Sequence, residues 1–406
     1  MVERPLYQAI WKDLARTKPM IFLSGPRQAG KTTFARRVAQ SEFANHTYFN
    51  WDFVTDKKRL VENPAFFEEI QRKDATTPLV IFDEIHKYRK WKNYLKGVYD
   101  QFSDRYRFLV LGSGRLNVFQ KGGDSLAGRY FQFSLWPFTL AELVGQRLSF
   151  KEFVKDPLLL LREDSNAEKI WGQLFNLSGF PEPYLSGDET IYRRWSRTYH
   201  QQLIREDIRN MTEIKNIDEV EVLFSLLPSR VASPLSVASL ARDLQVSFNT
   251  VQKWVKTFES FYLAFLLRPW AKKVSRAITK ERKLYLFDYA MVPVPAARFE
   301  NMVALELLRA VSSWNDLGLG DFDLRYLRNK EKEEVDFLIV REGRPCLLIE
   351  AKFAEDQVSK SLVKFQTLLK VPAVQLVHRP GVSKLISNHP HKILIVSACR
   401  WLPCLP

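Results

Sequence analysis

Short apolar runs alternate with amphipathic stretches through the first third of the chain. Leu6, Ile10, Trp11 and Leu14 recur at helical spacing. Met20-Ile21-Phe22-Leu23 is short enough for a buried strand, and a glycine turn follows it. Phe34, Ala35 and Val38 then fall on one helical face. The alternation continues with a strand at Thr47–Asp52 and a helical stretch through Phe66, Phe67 and Ile70. Pro78–Glu84 places four apolar residues before two acids. A helix rich in Trp91, Tyr94, Leu95 and Val98 leads to a buried strand over Arg107–Gly114, and another strand covers Tyr130–Leu135. Strands alternating with helices predict an α/β domain with a parallel sheet over residues 1–148.

The pattern turns helical over residues 149–230, where Ile191–Ile208 reads as one long basic helix. Its Arg193, Arg194, Arg197 and Arg205 would meet phosphates or line a solvated face. Over residues 231–270, Val237, Leu240, Ala241 and Leu244 form one helical face. A turn at Val246-Ser247, a second helix over Asn249–Phe258 and an extended run at Phe261–Leu267 complete the pattern of a winged helix-turn-helix. Asn249, Thr250, Gln252, Lys253 and Lys256 lie on the outer face of the second helix. Asn and Gln suit adenine edges and lysines suit phosphates, so the helix would read DNA or serve only for packing. Residues 271–406 predict a second, smaller α/β domain. Its strands are Lys283–Asp288, Leu324–Arg328, Glu334–Val340 and Pro345–Lys352, with an amphipathic helix from Arg298 to Leu308.

The glycine turn carries the sharpest chemistry. Gly25-Pro26-Arg27-Gln28-Ala29-Gly30-Lys31-Thr32-Thr33 reads G-x-x-x-x-G-K-[ST], the phosphate loop of P-loop NTPases, between a strand and a helix. Gly25 and Gly30 let backbone N–H groups turn inward on phosphate oxygens. Lys31 would reach the β- and γ-phosphates of ATP, and Thr32 would bind Mg²⁺. Asp83, at the end of an apolar strand, would hold the same Mg²⁺, and Glu84 would be the general base. Ser113, ending another strand, is placed to touch the γ-phosphate or the lytic water. Arg129 would stabilise transition-state charge, in cis or across a subunit interface, or stand as a salt-bridged surface arginine.

The 406 residues carry a formal charge of +15, which points to a polyanionic partner, DNA before an anionic membrane. No apolar run approaches the roughly 20 residues of a membrane helix, and the N-terminus is no signal peptide. Cys346, Cys399 and Cys404 form no metal or disulfide pattern, which fits a reducing cytoplasm.

The stretches SGPRQAGKTT, LVIFDEIHK, LVLGSGR, SLAGRYFQFSLWPFTLAEL and GFPEPY resemble those of bacterial and archaeal AAA+-type ATPases with a DUF4143 C-terminal region. The chain departs from that pattern at Gly114-Arg115. The resemblance implies an ATPase core, a helical lid over residues 149–230 and ring-like or other homo-oligomers. In the last segment, Asp336, Glu350 and Lys352 resemble the D…(E/Q)-x-K core of PD-(D/E)XK nucleases, and Glu300 matches an acid on their first helix. Such carboxylates hold Mg²⁺ against a scissile phosphate. The expected function is ATP hydrolysis coupled to movement on, or processing of, duplex or branched DNA. An ATP-dependent signalling or regulatory switch with a non-catalytic, partner-binding C-terminal domain and an ATP-controlled metal-dependent nuclease are the alternatives.

Overall fold

The computed structural model describes residues 2–112, 126–209, 214, 216–271, 282–355, 357–387 and 392–406. They divide into two compact units, one of residues up to 137 with 260–262, the other of 138–259 with 263–406.

The first unit is built on five parallel strands. β1 (Met20–Ser24), β2 (His46–Asn50), β3 (Leu79–Asp83), β4 (Arg107–Leu111) and β5 (Tyr130–Ser134) lie in the order β2-β3-β4-β1-β5. β1 and β3 are buried along their whole length, as strands covered on both faces must be. Up to the terminal Ser24 and Asp83 their side chains are therefore apolar without alternation, which is why the pattern reads as runs. α1 (Pro5–Thr17) starts with proline at its first position, where no backbone N–H is needed, and buries Leu6, Ile10, Trp11 and Leu14. α2 (Lys31–Glu42), α3 (Val54–Glu62) and α4 (Trp91–Phe102) complete the unit. An aromatic-rich core of Phe22, Phe49, Phe66, Phe67, Phe82 and Phe108 fills one side of the sheet. Each such ring contributes roughly 2–3 kcal/mol by leaving water.

The second unit begins with helices. α5 (Ala167–Leu177), α6 (Pro181–Ser186) and α7 (Glu189–Gln202) lead into a π-helical turn over Leu203–Ile208. Asp188 caps α7 by accepting from the N–H groups of Thr190 and Ile191. Gly179 has no side chain because a Cβ there would lie 2.2 Å from the Phe138 carbonyl oxygen. That close approach, with the Phe138 N–H donating to Gly179 O at 2.6 Å, locks the GFPEPY stretch against the WPFTLAEL stretch. α8 (Ile217–Leu226), α9 (Val237–Asp243) and α10 (Phe248–Ser260) follow. α10 buries Val251, Trp254, Val255 and Phe258, and Lys253 and Lys256 are exposed.

The extended run after α10 forms β6 (Ala264–Pro269), antiparallel to β7 (Lys283–Leu286), whose first residue also bridges Pro234. This hairpin is not a free wing. β6 pairs in parallel with β8 (Phe322–Arg328), so it continues the C-terminal sheet. β9 (Glu334–Arg341), β10 (Arg344–Lys352), β11 (Ala373–Val377), β12 (Ser383–Ile386) and β13 (Ile393–Ser397) complete eight strands in the order β12-β13-β11-β10-β9-β8-β6-β7. α11 (Pro295–Asp316) packs along this sheet, as does α12 (Lys360–Leu369). The architecture is α/β throughout, a parallel-sheet core followed by helices and a mixed sheet.

Candidate nucleotide site and a carboxylate cluster

The loop after β1 is shaped by two glycines. Gly25 has φ 139°, and a Cβ there would lie 2.1 Å from the Leu135 carbonyl oxygen, so no other residue fits without moving the chain just after β5. Gly30 at φ 95° turns the chain left-handed directly into α2. Three of the loop's carbonyls have cationic partners. Lys31 Nζ donates to Gly25 O at 3.0 Å and Pro26 O at 2.6 Å, and Arg4 donates to Ala29 O at 2.9 Å. Arg4 also donates to Trp136 O at 2.7 Å and stacks over Tyr7. This buried arginine from the start of the chain braces the loop, and nothing in the glycine motif points to it.

Thr32 and Asp83 come from different elements and meet. Thr32 Oγ1 donates to Asp83 Oδ2 at 2.8 Å, and the Tyr48 hydroxyl donates to the same oxygen at 2.7 Å. Burial pushes the Asp83 carboxyl up, and the Tyr48 and Thr32 hydrogen bonds work against it. Burial, then the charge of Asp83, pushes the Tyr48 phenol up to about 12, so it stays a donor. Burial lowers the Lys31 ammonium to about 8, against the opposing pull of Glu84 and Asp83. Glu84 follows Asp83 in the left-handed region at φ 55°, a conformation that costs a non-glycine residue about 1 kcal/mol and that clusters at functional sites. Its Oε2 lies 3.3 Å from Lys87 Nζ and 3.4 Å from His86 Nε2.

The donor chemistry fits a nucleotide and Mg²⁺. A glycine loop at a helix N-terminus suits phosphate, and a hydroxyl beside a carboxylate suits a hard divalent cation. Ser113 lies outside the described residues. Arg129 pairs with Asp100 at 2.7 Å. It precedes Tyr130, which is in register with Met20, whereas the P-loop follows Ser24. The backbone of Arg129 thus lies toward the other end of the neighbouring strand, four strand steps or about 13 Å from the start of the loop.

In the second unit, Arg193 pairs with Glu189, and Arg205 with Asp218 and Glu221, while Arg194 and Arg197 are exposed. Asn249, Lys253 and Lys256 are exposed on α10, and Thr250 and Gln252 are half-buried.

The C-terminal acids also come together, around a residue outside the D…(E/Q)-x-K pattern. Lys283 Nζ lies 2.8 Å from Glu300 Oε1, 2.7 Å from Glu334 Oε1 and 3.1 Å from Asp336 Oδ1. Tyr285 donates its hydroxyl to Glu300 Oε1 at 2.7 Å. The Ala351 N–H donates to Asp336 Oδ2 at 3.0 Å, and Lys352 Nζ lies 2.9 Å from Glu350 Oε1. Burial first, and then the charge of Asp336, pushes the Glu300 and Glu350 carboxyls up. Burial works to lower the Lys283 ammonium, but Tyr285, Asp336, Glu300 and Glu334 together outweigh it and hold it charged. Lys283 sits in a strand read only for its apolar run, so its role had no signal in spacing.

A glycine loop closed by lysine, facing an acid-tipped strand of an all-parallel sheet, defines a P-loop nucleotide-binding core. Residues 17–144 match the AAA domain family, residues 168–298 a domain of unknown function (DUF8612), and residues 296–394 a domain of unknown function (DUF4143). The chain thus carries an AAA-type domain followed by a DUF4143 region. It is similar to uncharacterized protein MJ1544 of Methanocaldococcus jannaschii, at 25% identity over 93% of this chain and 86% of that one. It is also similar to uncharacterized protein Rv2008c of Mycobacterium tuberculosis, at 23% identity over 94% and 81% of the two chains. Among solved structures, the Walker-type ATPase PABY2304 of Pyrococcus abyssi aligns with a TM-score of 0.45 and 13% identity, over 72% of this chain and 95% of that one. Among the described residues, no helix is long and apolar enough to cross a membrane.

Proposed function

We propose that the chain hydrolyses ATP at the P-loop and couples turnover to bound DNA. The observation that carries the ATPase reading is the hydrogen bond from Thr32 to Asp83, which joins the two halves of the site. Thr32 and Asp83 would hold Mg²⁺, which when bound neutralises charge on the phosphate oxygens. Lys31 binds the phosphates and balances their charge. Glu84 orients the attacking water and accepts its proton as the new P–O bond forms and the bond to the β-phosphate oxygen breaks. Lys87 holds that carboxylate in place from one side.

The DNA reading rests on the net charge of +15 and on the outward face of α10. Exposed lysines beside Asn249 suit phosphate contacts at the end of a helix pair. In an oligomer, Arg129 would serve a neighbouring copy's site.

The test is the ATPase rate of the purified chain with no DNA and with single-stranded, duplex and branched DNA at fixed salt. Turnover that depends on Lys31 and Glu84 and rises with DNA supports both parts. Turnover of wild-type rate in Glu84→Gln would sink the base assignment. A rate indifferent to every DNA, with nucleotide-dependent assembly, would replace the DNA reading with that of an ATP-dependent switch.

A further inference from the structure

The C-terminal cluster has the acids of a metal-dependent nuclease and a different electrostatic plan. Metal-assisted cleavage needs carboxylates that converge on a divalent cation and leave coordination positions open for water and phosphate. Here three carboxylates, on Glu300, Glu334 and Asp336, converge on the ammonium of Lys283. An ammonium has three N–H donors, and three acids lie within reach of them. The second oxygen of Asp336 accepts from the backbone of Ala351. Glu350 has Lys352 on one oxygen, and its other oxygen accepts weakly from the Asp336 N–H at 3.4 Å. Among the described residues, no three His, Cys, Asp or Glu side chains are disposed to hold a metal ion. The acids do not fit a metal while the lysine is there.

The lysine is not a mobile surface group. Its side chain is 1% exposed, and its backbone pairs with Leu267 of β6 and bridges Pro234. Withdrawing it requires unpairing the start of β7. The acids, in turn, need it, because buried carboxylates without a counter-charge are costly. The hairpin β6–β7 follows α9 and α10 directly, and α11 and β9 supply the acids.

We propose that this cluster is an internal ion lock: Lys283 stands where a nuclease would hold its divalent metal, so the domain cleaves no phosphodiester, and the lock fixes the hairpin behind the helix pair α9–α10 to the C-terminal sheet. The proposal does not depend on the ATPase reading.

The test uses the full chain carrying Asp83→Asn, so that the nucleotide site contributes no metal binding. Mn²⁺ uptake is followed by electron paramagnetic resonance. Cleavage is followed on plasmid and single-stranded DNA in Mg²⁺ or Mn²⁺. Neither uptake at the cluster nor cleavage is expected. Lys283→Met should lower the melting temperature by on the order of 10 °C. Millimolar Mn²⁺ should then restore part of the loss, and should not do so when Asp336→Asn is added. Should Lys283→Met fail to fold, Glu334→Gln keeps the shape and removes one partner. It should lower the melting temperature in chelator by several degrees, with no response to Mn²⁺. Metal-dependent cleavage by the chain with Lys283 intact, abolished by Asp336→Asn, would overturn the proposal. So would one bound Mn²⁺ per chain that disappears with Asp336→Asn, or a Glu334→Gln chain as stable as its parent.

Discussion

The phenol of Tyr48 on β2 donates to Asp83 Oδ2 at the end of the neighbouring β3, at 2.7 Å. β2 and β3 are parallel, and Asn50 is the register partner of Asp83, so Tyr48 reaches along the strand rather than straight across it. The hydroxyl therefore fixes the orientation of a carboxylate whose other hydrogen-bond donor, Thr32, comes from α2.

Removing that hydroxyl should loosen the carboxylate without emptying the core. Groups that orient a metal ligand typically contribute 10–100-fold to affinity or activity, and the lower end suits a single hydrogen bond. Tyr48→Phe should raise the Mg²⁺ concentration for half-maximal ATPase by about tenfold. A Mg²⁺ titration at saturating ATP reads this directly. An unchanged midpoint would mean that Tyr48 only packs.

The ammonium of Lys31 supplies a pH prediction. Burial lowers it to about 8, so above that pH the free site increasingly holds neutral lysine. Triphosphate beside it favours the charged form and raises its pKa in the complex. Nucleotide binding should therefore take up a proton above pH 8, and affinity should weaken as pH rises through that value. Calorimetry at pH 9 in two buffers of different ionisation enthalpy should give different apparent heats. Identical heats, or affinity equal at pH 7 and pH 9, would contradict the placement of Lys31.

Much of this was legible in the chain, for reasons that differ by element. β1 and β3 of the first unit are buried on both faces, so their apolar runs mark them, and the glycine loop and paired acids lie at their ends. Sequence spacing also aligned Glu350 with Lys352, because residues two apart on a strand share a face. What it could not show was contact between residues far apart in the chain. Arg4 reaches Ala29, and Lys283 reaches Asp336, through folding alone. The joining of β6 to β8 was equally hidden, since a hairpin reads the same whether its outer edge is free or paired. The pairing of Arg129 with Asp100 was hidden in the same way.

A second pH effect comes from Glu306 on α11. Its Oε1 accepts from the Leu140 N–H at 2.6 Å, and its buried Oε2 has no hydrogen-bond partner among the described residues. Burial pushes this carboxyl up to about 7, with the Leu140 hydrogen bond and Arg309 opposing. A raised carboxyl pKa means that the folded state holds the proton more tightly. Its contribution is therefore full below about pH 4.5 and is lost as pH rises toward about 7, an effect on the order of 3 kcal/mol. Glu306→Gln keeps an acceptor for Leu140 and cannot ionise. Between pH 5 and pH 7.5 the variant should gain stability relative to the parent, read as the difference in their urea midpoints. A difference that does not change with pH would refute the assignment.

The outer face of α10 is the direct test of the DNA reading, because a helix pair can serve packing alone. Lys253 and Lys256 are exposed and three positions apart, so both point to the same side. If they meet phosphates, each contact releases counterions, and affinity falls steeply with salt. Reversing both to glutamate should weaken binding uniformly across DNA sequences and reduce the slope of log affinity against log salt by about two. Val251, Trp254 and Phe258 remain buried on the other side, so the fold should survive the change. The measurement is duplex binding by fluorescence anisotropy over a salt series, with circular dichroism as the folding control. A folded variant that binds with the parent's affinity and salt slope would remove α10 from the interface. A parent chain that binds no DNA at low salt, with or without ATP, would remove DNA from the function and leave the switch in its place.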